Sequence, residues 1–411
     1  MPDERVRDDC IRKILPLSLL YALQYKPLDF HIGSYWHTES SPSNFRAASF
    51  CHLCGNWLYP LPFPMVLNVS STESMMLAAI REAERGIGQT SPNPSVGAVI
   101  VRDDQIISRG WHKKAGEPHA EVEAIRGLPS PELSKGATLF VTLEPCSTHG
   151  RTPPCVETII RGKFKRVVIG TLDPNPAHAG KALSILNSAG IETEHGVLEE
   201  QCRRLNLAFN KWIVTKMPFV IAKAGMTLDG RLTRPHHEPR WITNEASRHD
   251  THLLRSRVDA ILVGGETVRV DDPELTVRGI PGARQPYRIV VTQSGNLPPA
   301  ARILTDAYKD RTCVFVGRSL RKVLEDLGQK EITSVMIEGG MRTLGEAFDQ
   351  QLVDQVCFYV APLLGGGPKL VVGGLGAGST AESPQLMNVE YRRFGDDLRM
   401  TGDVKYAATI A

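Results

Sequence analysis

The sequence predicts an α/β fold built as two consecutive strand–helix series. Two observations carry this expectation. From Ser71 onward, short apolar runs bounded by turn residues alternate with segments whose apolar residues recur at helical spacing. The alternation pauses in a Leu-, Phe- and Trp-rich stretch at 201–216 and restarts at Met217-Pro218, which sets a boundary near residue 215. The expected organisation is a poorly structured extension over 1–70, a first unit over 71–215 and a second over 216–411.

The extension is rich in Pro, Ser and aromatic residues, has no sustained period, and ends in Tyr59-Pro60-Leu61-Pro62-Phe63-Pro64. That run suits neither a helix nor a central strand. Cys51-His52-Leu53-Cys54 offers half a zinc knuckle, but no second ligand pair follows at a matching spacing, so these read as ordinary cysteines.

In the first unit, Ser71 or Thr72 caps a helix whose stripe runs through Met75, Met76, Ala79, Ile80 and Ala83 to Gly86. Ser91-Pro92-Asn93-Pro94 is a turn into a strand over 98–101, and Arg102-Asp103-Asp104-Gln105 is a hairpin turn into 106–108. His119 opens a helix through Ile125. A strand over 139–143 leads through an exposed-looking loop at 148–154 to a helix over 155–161. A strand over 167–170 and helices over 181–189 and 201–216 complete the unit. Strands of the second unit are expected over 219–224, 260–263, 288–291, 312–316, 334–337 and 355–360.

Composition excludes several classes. Lys and Arg total 48 against 45 Asp and Glu, and a net charge of +3 spread over 411 residues does not suggest the basic surface that a nucleic-acid partner needs. The eight cysteines are scattered, unlike a secreted disulfide framework, which favours a reducing compartment and the cytoplasm. No apolar run approaches the roughly 20 residues of a membrane span. The stretch at 14–23 is short and follows mixed charge, a poor signal peptide.

Chemistry concentrates in His119-Ala120-Glu121, Pro145-Cys146 and Cys155. One imidazole and two thiolates are a tetrahedral zinc set with its fourth position left for water. Both clusters sit at predicted helix starts, where partial positive charge favours thiolate. Zinc lowers the pKa of its water toward about 7, and Glu121 is placed to move protons there without binding the metal. Zinc-dependent nucleobase deaminases use this arrangement. A closed structural site would need a fourth ligand, for which His112 and His149 are candidates.

Further segments carry a specific resemblance. They are Pro92-Asn93-Pro94-x-Val96-Gly97-Ala98-Val99, His112-x-x-Ala115-Gly116-x-x-His119-Ala120-Glu121, Thr142-Leu143-Glu144-Pro145-Cys146-Ser147, His149-Gly150-Arg151-Thr152-Pro153-Pro154-Cys155 and Asp173-Pro174-Asn175-Pro176. With them the chain from about 72 to 411 resembles the bifunctional riboflavin-biosynthesis deaminase-reductases. The resemblance implies a cytidine-deaminase-like three-layer domain followed by a dihydrofolate-reductase-like domain. It implies zinc on His119, Cys146 and Cys155, with Glu121 as proton shuttle. It also implies Asn93, His112, Arg151, Asp173 and Asn175 as contacts to a diaminopyrimidinone ring and its ribose phosphate. Where the family usually carries a His after Cys146-Ser147, this chain has Thr148.

The second unit has no G-x-G-x-x-G and no Walker motif. Its strand at 334–337 leads through Glu338-Gly339-Gly340 into a helix whose bare N–H groups suit a phosphate. Lys223-x-Gly225-x-Thr227-Leu228-Asp229-Gly230-Arg231, Trp241-Ile242-Thr243 and Thr267-Val268-x-x-Asp271-Asp272-Pro273-x-Leu275-Thr276-Val277-Arg278 resemble the reductase half. The resemblance implies NADPH contacts at Gly225, Trp241, Thr267, Asp271 and the turn Gly340, Met341, Arg342, Thr343, Leu344, Gly345. It implies substrate contacts at Arg255, Leu275, Arg278 and Glu338. Lys223 is a candidate proton donor, with a structural ion pair as the competing role. His236-His237-Glu238-Pro239-Arg240 departs from the family's Gly-rich turn.

The expected protein is thus a cytoplasmic enzyme acting on small phosphoribosyl pyrimidines, with one zinc per chain and NADPH. The resemblance also implies a homo-oligomer. The rivals are a nucleic-acid deaminase, a zinc-stabilised binding protein and an enzyme whose reductase half has decayed. Removing residues 1–64 is expected to leave both activities intact, checked by assaying the truncated chain for each.

Overall fold

The computed structural model describes residues 70–148, 153–176, 178–232 and 241–407, in one compact unit. The N-terminal extension, including Cys51 and Cys54, lies outside the described residues, as do His149, Arg151 and the segment 236–240.

Helix α1 (Ser71–Glu84) is capped by Ser70, one residue before the expected position. The Ser70 hydroxyl accepts from the Glu73 N–H (3.1 Å), and the Glu73 carboxylate accepts from the Ser70 N–H (2.9 Å). This S-x-x-E reciprocity satisfies two open helix donors at once, which Ser71 or Thr72 has no matching acid to do. Strands β1 (Gly97–Arg102) and β2 (Gln105–Trp111) form a hairpin across Asp103 and Asp104, both at positive φ. Then follow α2 (Ala120–Arg126), β3 (Thr138–Leu143), α3 (Cys155–Arg161), β4 (Arg166–Thr171), α4 (Lys181–Ser188) and β5 (Glu192–His195).

These strands make a five-stranded sheet in the order β2-β1-β3-β4-β5, with β3, β4 and β5 parallel. Period-2 alternation sends Ala98, Ile100, Leu139, Val141, Val167 and Ile169 to one face, against Ala120 and Ala124 of α2, Val156 and Ile159 of α3, and Leu186 of α4. Val99, Val101, Phe140 and Val168 face the other way, against Met76, Ala79 and Ile80 of α1. Each fully buried Val, Leu, Ile, Phe or Met among them contributes about 1.5–3 kcal/mol. The result is the expected three-layer sandwich.

The helix expected over 201–216 is two helices, α5 (Glu199–Arg204) and α6 (Leu207–Thr215). The break is at Asn206, whose side-chain amide accepts from the Ser95 N–H (2.7 Å) and donates to the Ser95 carbonyl (2.9 Å). These two bonds hold Asn206 to a buried backbone at the point where the helix is interrupted.

The second sheet draws on β6 (Phe219–Thr227), β7 (Ala260–Gly264), β8 (Tyr287–Thr292), β9 (Thr312–Val316), β10 (Ser334–Ile337), β11 (Gln355–Ala361), β12 (Gln385–Phe394) and β13 (Asp397–Lys405). Their order is β12-β13-β11-β6-β10-β7-β8-β9, parallel from β11 to β9, with β13 and β12 antiparallel at one end. Its helices are α7 (Glu245–Arg257), α8 (Gly265–Asp271), α9 (Arg302–Thr305), α10 (Leu320–Gln329) and α11 (Met341–Asp349). Leu320, Val323, Leu324 and Leu327 of α10 with Leu344 and Ala347 of α11 cover one face, while Val258, Val268 and Ile303 cover the other. Both faces of the parallel core are therefore dry, which explains its continuous apolar strands. Among the described residues, no helix is long and apolar enough to cross a membrane.

Candidate active sites

His119 is the N-cap of α2, Cys155 is the first residue of α3, and Cys146 lies in the loop after β3. The sandwich brings them together. Both sulfurs approach His119 Nδ1, Cys155 Sγ at 3.2 Å and Cys146 Sγ at 3.5 Å, and all three ligand atoms lie within 4.8 Å of one another. The edges of a tetrahedron with Zn–S about 2.3 Å and Zn–N about 2.0 Å are of this size. Charge tells the same story. The hydrogen bond that the two sulfurs share pulls the Cys146 thiol down and pushes Cys155 far up, so one thiolate is tolerated and its neighbour is not. A dication between them removes that conflict, and the donor set fits zinc.

His112 is not a fourth ligand. Its Nδ1 donates to the Pro118 carbonyl (3.1 Å), which leaves Nε2 to accept from the Asn93 side-chain amide (3.2 Å). Burial pushes its pKa down, so the ring is held neutral in that tautomer. Among the described residues, the cluster has three ligands only.

Glu121, in the first turn of α2, is 3% exposed, and burial raises its carboxyl above the usual range. A cavity of about 340 Å³ joins Glu121 and the metal ligands His119 and Cys146 to Asn93, His112, Thr148, Asp173 and Asn175. Asp173 Oδ1 accepts from the Asn175 N–H (2.8 Å), a short turn that aims both side chains.

Sequence reasoning did not assign Glu144. Its carboxylate accepts from the N–H groups of Asp173 (3.1 Å), Gly180 (2.9 Å) and Ala182 (3.0 Å), which fixes the 173–180 loop from beneath. It also missed Phe209, Trp212 and Ile213 of α6, with His178 and Glu331, all of which line the cavity. The aromatic content of 201–216 was the one available signal, and it reads equally well as a domain boundary.

In the second unit, Lys223 on β6, Arg255 on α7 and Glu338 after β10 form a buried charge cluster. Arg255 grips Glu338 with Nε (2.6 Å) and Nη2 (2.9 Å), spends Nη1 on the Thr276 carbonyl (2.9 Å), and Lys223 Nζ lies 3.9 Å from Glu338. Burial alone would raise the Glu338 carboxyl, but the two cations outweigh it and hold it at about 2. Burial pushes the Lys223 ammonium down, partly offset by Glu338. Arg278 is exposed and contacts Glu274 (2.5 Å) and Thr276 (3.1 Å). Leu275 is buried in the apolar layer, so its side chain belongs to the core.

Of the expected cofactor residues, Thr267 in α8 and Gly340 at the start of α11 face each other, since a Cβ on Gly340 would lie 3.5 Å from Thr267 Oγ1. A Cβ on Gly264 would lie 2.7 Å from Thr343 Oγ1. The α11 start has no side-chain cap, so its N–H groups and this glycine-lined cradle suit a cofactor phosphate. Gly225 and Trp241 are linked through Thr243: a Cβ on Gly225 would lie 3.2 Å from its methyl, and its carbonyl accepts from Arg248, whose guanidinium lies 5.3 Å from the Trp241 ring. Asp271, the last residue of α8, is exposed, as is Arg342, while Met341 is half-buried. Leu344 and Gly345 lie within α11 and are buried, Leu344 in the core against the sheet.

Residues 69–171 match the cytidine and deoxycytidylate deaminase zinc-binding region, and residues 218–400 match the RibD C-terminal domain. The riboflavin biosynthesis protein RibD of Aquifex aeolicus (strain VF5) is 40% identical over 347 residues, covering 79% of this chain and 96% of its own length. RibD of Escherichia coli (strain K12) is 37% identical over 359 residues, covering 79% and 97%. Among solved structures, Acinetobacter baumannii RibD superposes with a TM-score of 0.75 at 35% identity, over 82% of this chain and all (100%) of that one. A diaminohydroxyphosphoribosylaminopyrimidine deaminase/5-amino-6-(5-phosphoribosylamino)uracil reductase from Thermotoga maritima gives 0.74 at 35%, over 82% and 99%.

Proposed function

Because this chain belongs to the RibD family of riboflavin-biosynthesis proteins, we propose which of its residues carry each of two consecutive reactions. The first is hydrolytic deamination of 2,5-diamino-6-ribosylamino-4(3H)-pyrimidinone 5′-phosphate. The second is NADPH-dependent reduction of the resulting 5-amino-6-(5-phosphoribosylamino)uracil to its ribitylamino product. We divide the chain at about 215 into a cytidine-deaminase-like domain and a dihydrofolate-reductase-like domain, with 1–70 as an extension.

The observation that carries the first assignment is a buried carboxyl, Glu121, in one cavity with the His119, Cys146 and Cys155 cluster. Zinc held by these three side chains would supply a water made acidic near neutral pH. Glu121 takes the proton from the attacking water and delivers it to the departing amine, a role its raised pKa suits. Asn93, with one amide N–H committed to His112, and Asp173 and Asn175 on their turn present donors and acceptors to the ring edge and ribose. Arg151 is proposed for the phosphate on the family resemblance alone.

For reduction, NADPH supplies the hydride. The cradle of Thr267, Gly340 and Thr343 would hold a phosphate of the cofactor, and Gly225, Trp241 and Asp271 would contact it as well. Arg278 is the exposed guanidinium available to the substrate phosphate. Arg255 acts through Glu338, holding that carboxylate charged beside Lys223. Lys223, whose ammonium is made more acidic by burial, gives a proton to the opening ribosyl group.

We further propose a cytoplasmic homo-oligomer. The five described cysteines that are free, and the exposed Met387, Val389 and Tyr391 on edge strand β12, support this. Mass spectrometry of the purified chain with the diamino substrate tests the assignment. Without NADPH the amine is expected to be replaced by a carbonyl oxygen, and with NADPH two hydrogens are then gained. An unchanged substrate mass would overturn it.

A further inference from the structure

We propose that the reductase domain is a working part of the deamination site: Asp259, through Ser91, fixes the loop that carries Asn93. The proposal rests on the reading of Asn93 as a substrate contact. Asp259 stands at the entry to β7 and is 2% exposed. Its own domain pins it on several sides. It accepts from the Thr333 N–H (2.8 Å), the Thr333 hydroxyl (2.7 Å) and the Ser334 N–H (3.3 Å), and it pairs with Arg284.

One more bond crosses to the deaminase domain. The Ser91 hydroxyl donates to Asp259 Oδ2 at 2.7 Å. Ser91 is two residues from Asn93, whose amide reaches His112, and His112 in turn donates to the carbonyl of Pro118, the neighbour of His119. A rigid, buried carboxylate of one domain is thus joined by a short chain of bonds to the metal-bearing wall of the other.

The same loop touches the reductase domain a second time. Gly88 (φ +84°) has no Cβ, and one built there would collide with the Ser256 carbonyl and approach Arg257 Cα to 3.1 Å. Across the cavity, Trp212 donates its indole N–H to the Gly328 carbonyl (2.8 Å), and Glu331 contributes to the lining. Two sides of the deamination cavity therefore rest on residues after 218. Ser91 and Asp259 touch no reacting atom. They are positioning residues, and their effect falls on how well the substrate is held.

The test uses the full-length, zinc-loaded chain. In Ser91→Ala, KM for the diamino substrate is expected to rise about tenfold, the effect of losing one charge-assisted hydrogen bond, and in Gly88→Ala it is expected to rise as well, because the added methyl meets the Ser256 carbonyl and displaces the loop. The deamination kcat, zinc content and reduction of supplied deaminated substrate are expected to stay at wild-type values. Ser91→Thr, which keeps the hydroxyl, is expected to restore KM. Unchanged KM in both variants overturns the proposal, and so does a fall in reduction or zinc content equal to the fall in deamination. Asn93→Ala run in parallel separates the two readings. If it raises KM and the loop variants do not, the clamp fails and the Asn93 contact stands. If it too leaves KM unchanged, the substrate reading fails and takes the clamp with it.

Discussion

Replacing Glu121 with Gln is expected to lower the deamination kcat by about 10²–10⁴-fold, the usual contribution of a positioned general acid–base group. The change is nearly isosteric at a residue only 3% exposed, so the sandwich is expected to stay intact. Glutamine keeps an acceptor and gains donors but cannot relay a proton. Zinc content is expected to remain at one ion per chain, because His119, Cys146 and Cys155 form the ligand cluster without Glu121. Reduction of supplied deaminated substrate is expected to continue. Elemental analysis together with product mass measures all three. Persistence of both zinc and deamination at wild-type levels would remove Glu121 from the reaction and with it the shuttle mechanism.

Glu338→Gln is expected to act on the other half with comparable force. The substitution leaves the buried Arg255 guanidinium and Lys223 ammonium without the carboxylate between them. Breaking a buried charge network on one side costs about 3–5 kcal/mol. Reduction is expected to fall on the order of 10²-fold, as when a preorganised charge is lost from a reaction site, while deamination persists. The pH dependence has a definite sign. Glu338 sits at about 2 in the folded protein, below the ordinary glutamate value of about 4.3. A carboxylate depressed in this way stabilises the fold fully above about pH 4.3, and the contribution is lost as pH falls toward its folded value. The stability gap between wild type and variant, read from urea unfolding, is therefore expected to be constant near neutrality and to shrink below about pH 4. A gap that is the same at pH 7 and pH 3 would mean the network does not stabilise the fold in this way.

How much of this was readable in the chain differs from element to element. The central strands were legible because each is a continuous apolar run, as in the Ala260–Gly264 and Ser334–Ile337 strands buried on both faces. The hairpin of β12 and β13 was not, because β12 is exposed along most of its length and carries no burial-driven alternation. Strand β5, Glu-Thr-Glu-His, is likewise polar, and its register comes from pairing with β4. The interruption between α5 and α6 depends on Asn206 reaching Ser95, more than a hundred residues away in sequence.

The proposed substrate contacts divide in the same way. Asn93, His112, Asp173 and Asn175 lie in recognisable local motifs, and the fold gathers them into one cavity with Glu121. Glu144 also sits in a motif, but its three backbone partners exist only once the 173–182 segment has folded over it. Arg255 was expected to contact the substrate only through the family resemblance, since an isolated arginine reads as a solvated face or an ion pair. In the fold its guanidinium is spent on Glu338 and Thr276, whereas Arg278 is exposed.

By itself the sequence determined the α/β class and the zinc ligand set, because metal chemistry restricts residue types at close spacing and helix and strand periods repeat within a few residues. Only the tertiary structure decided that His112 spends both ring nitrogens on Asn93 and Pro118, that α6 and Glu331 wall the deamination cavity, and that Asp259 of the reductase sheet holds Ser91. The physical reason is range. Coordination and periodicity are local, whereas a hydrogen bond between residues 168 positions apart leaves no mark on the sequence around either one.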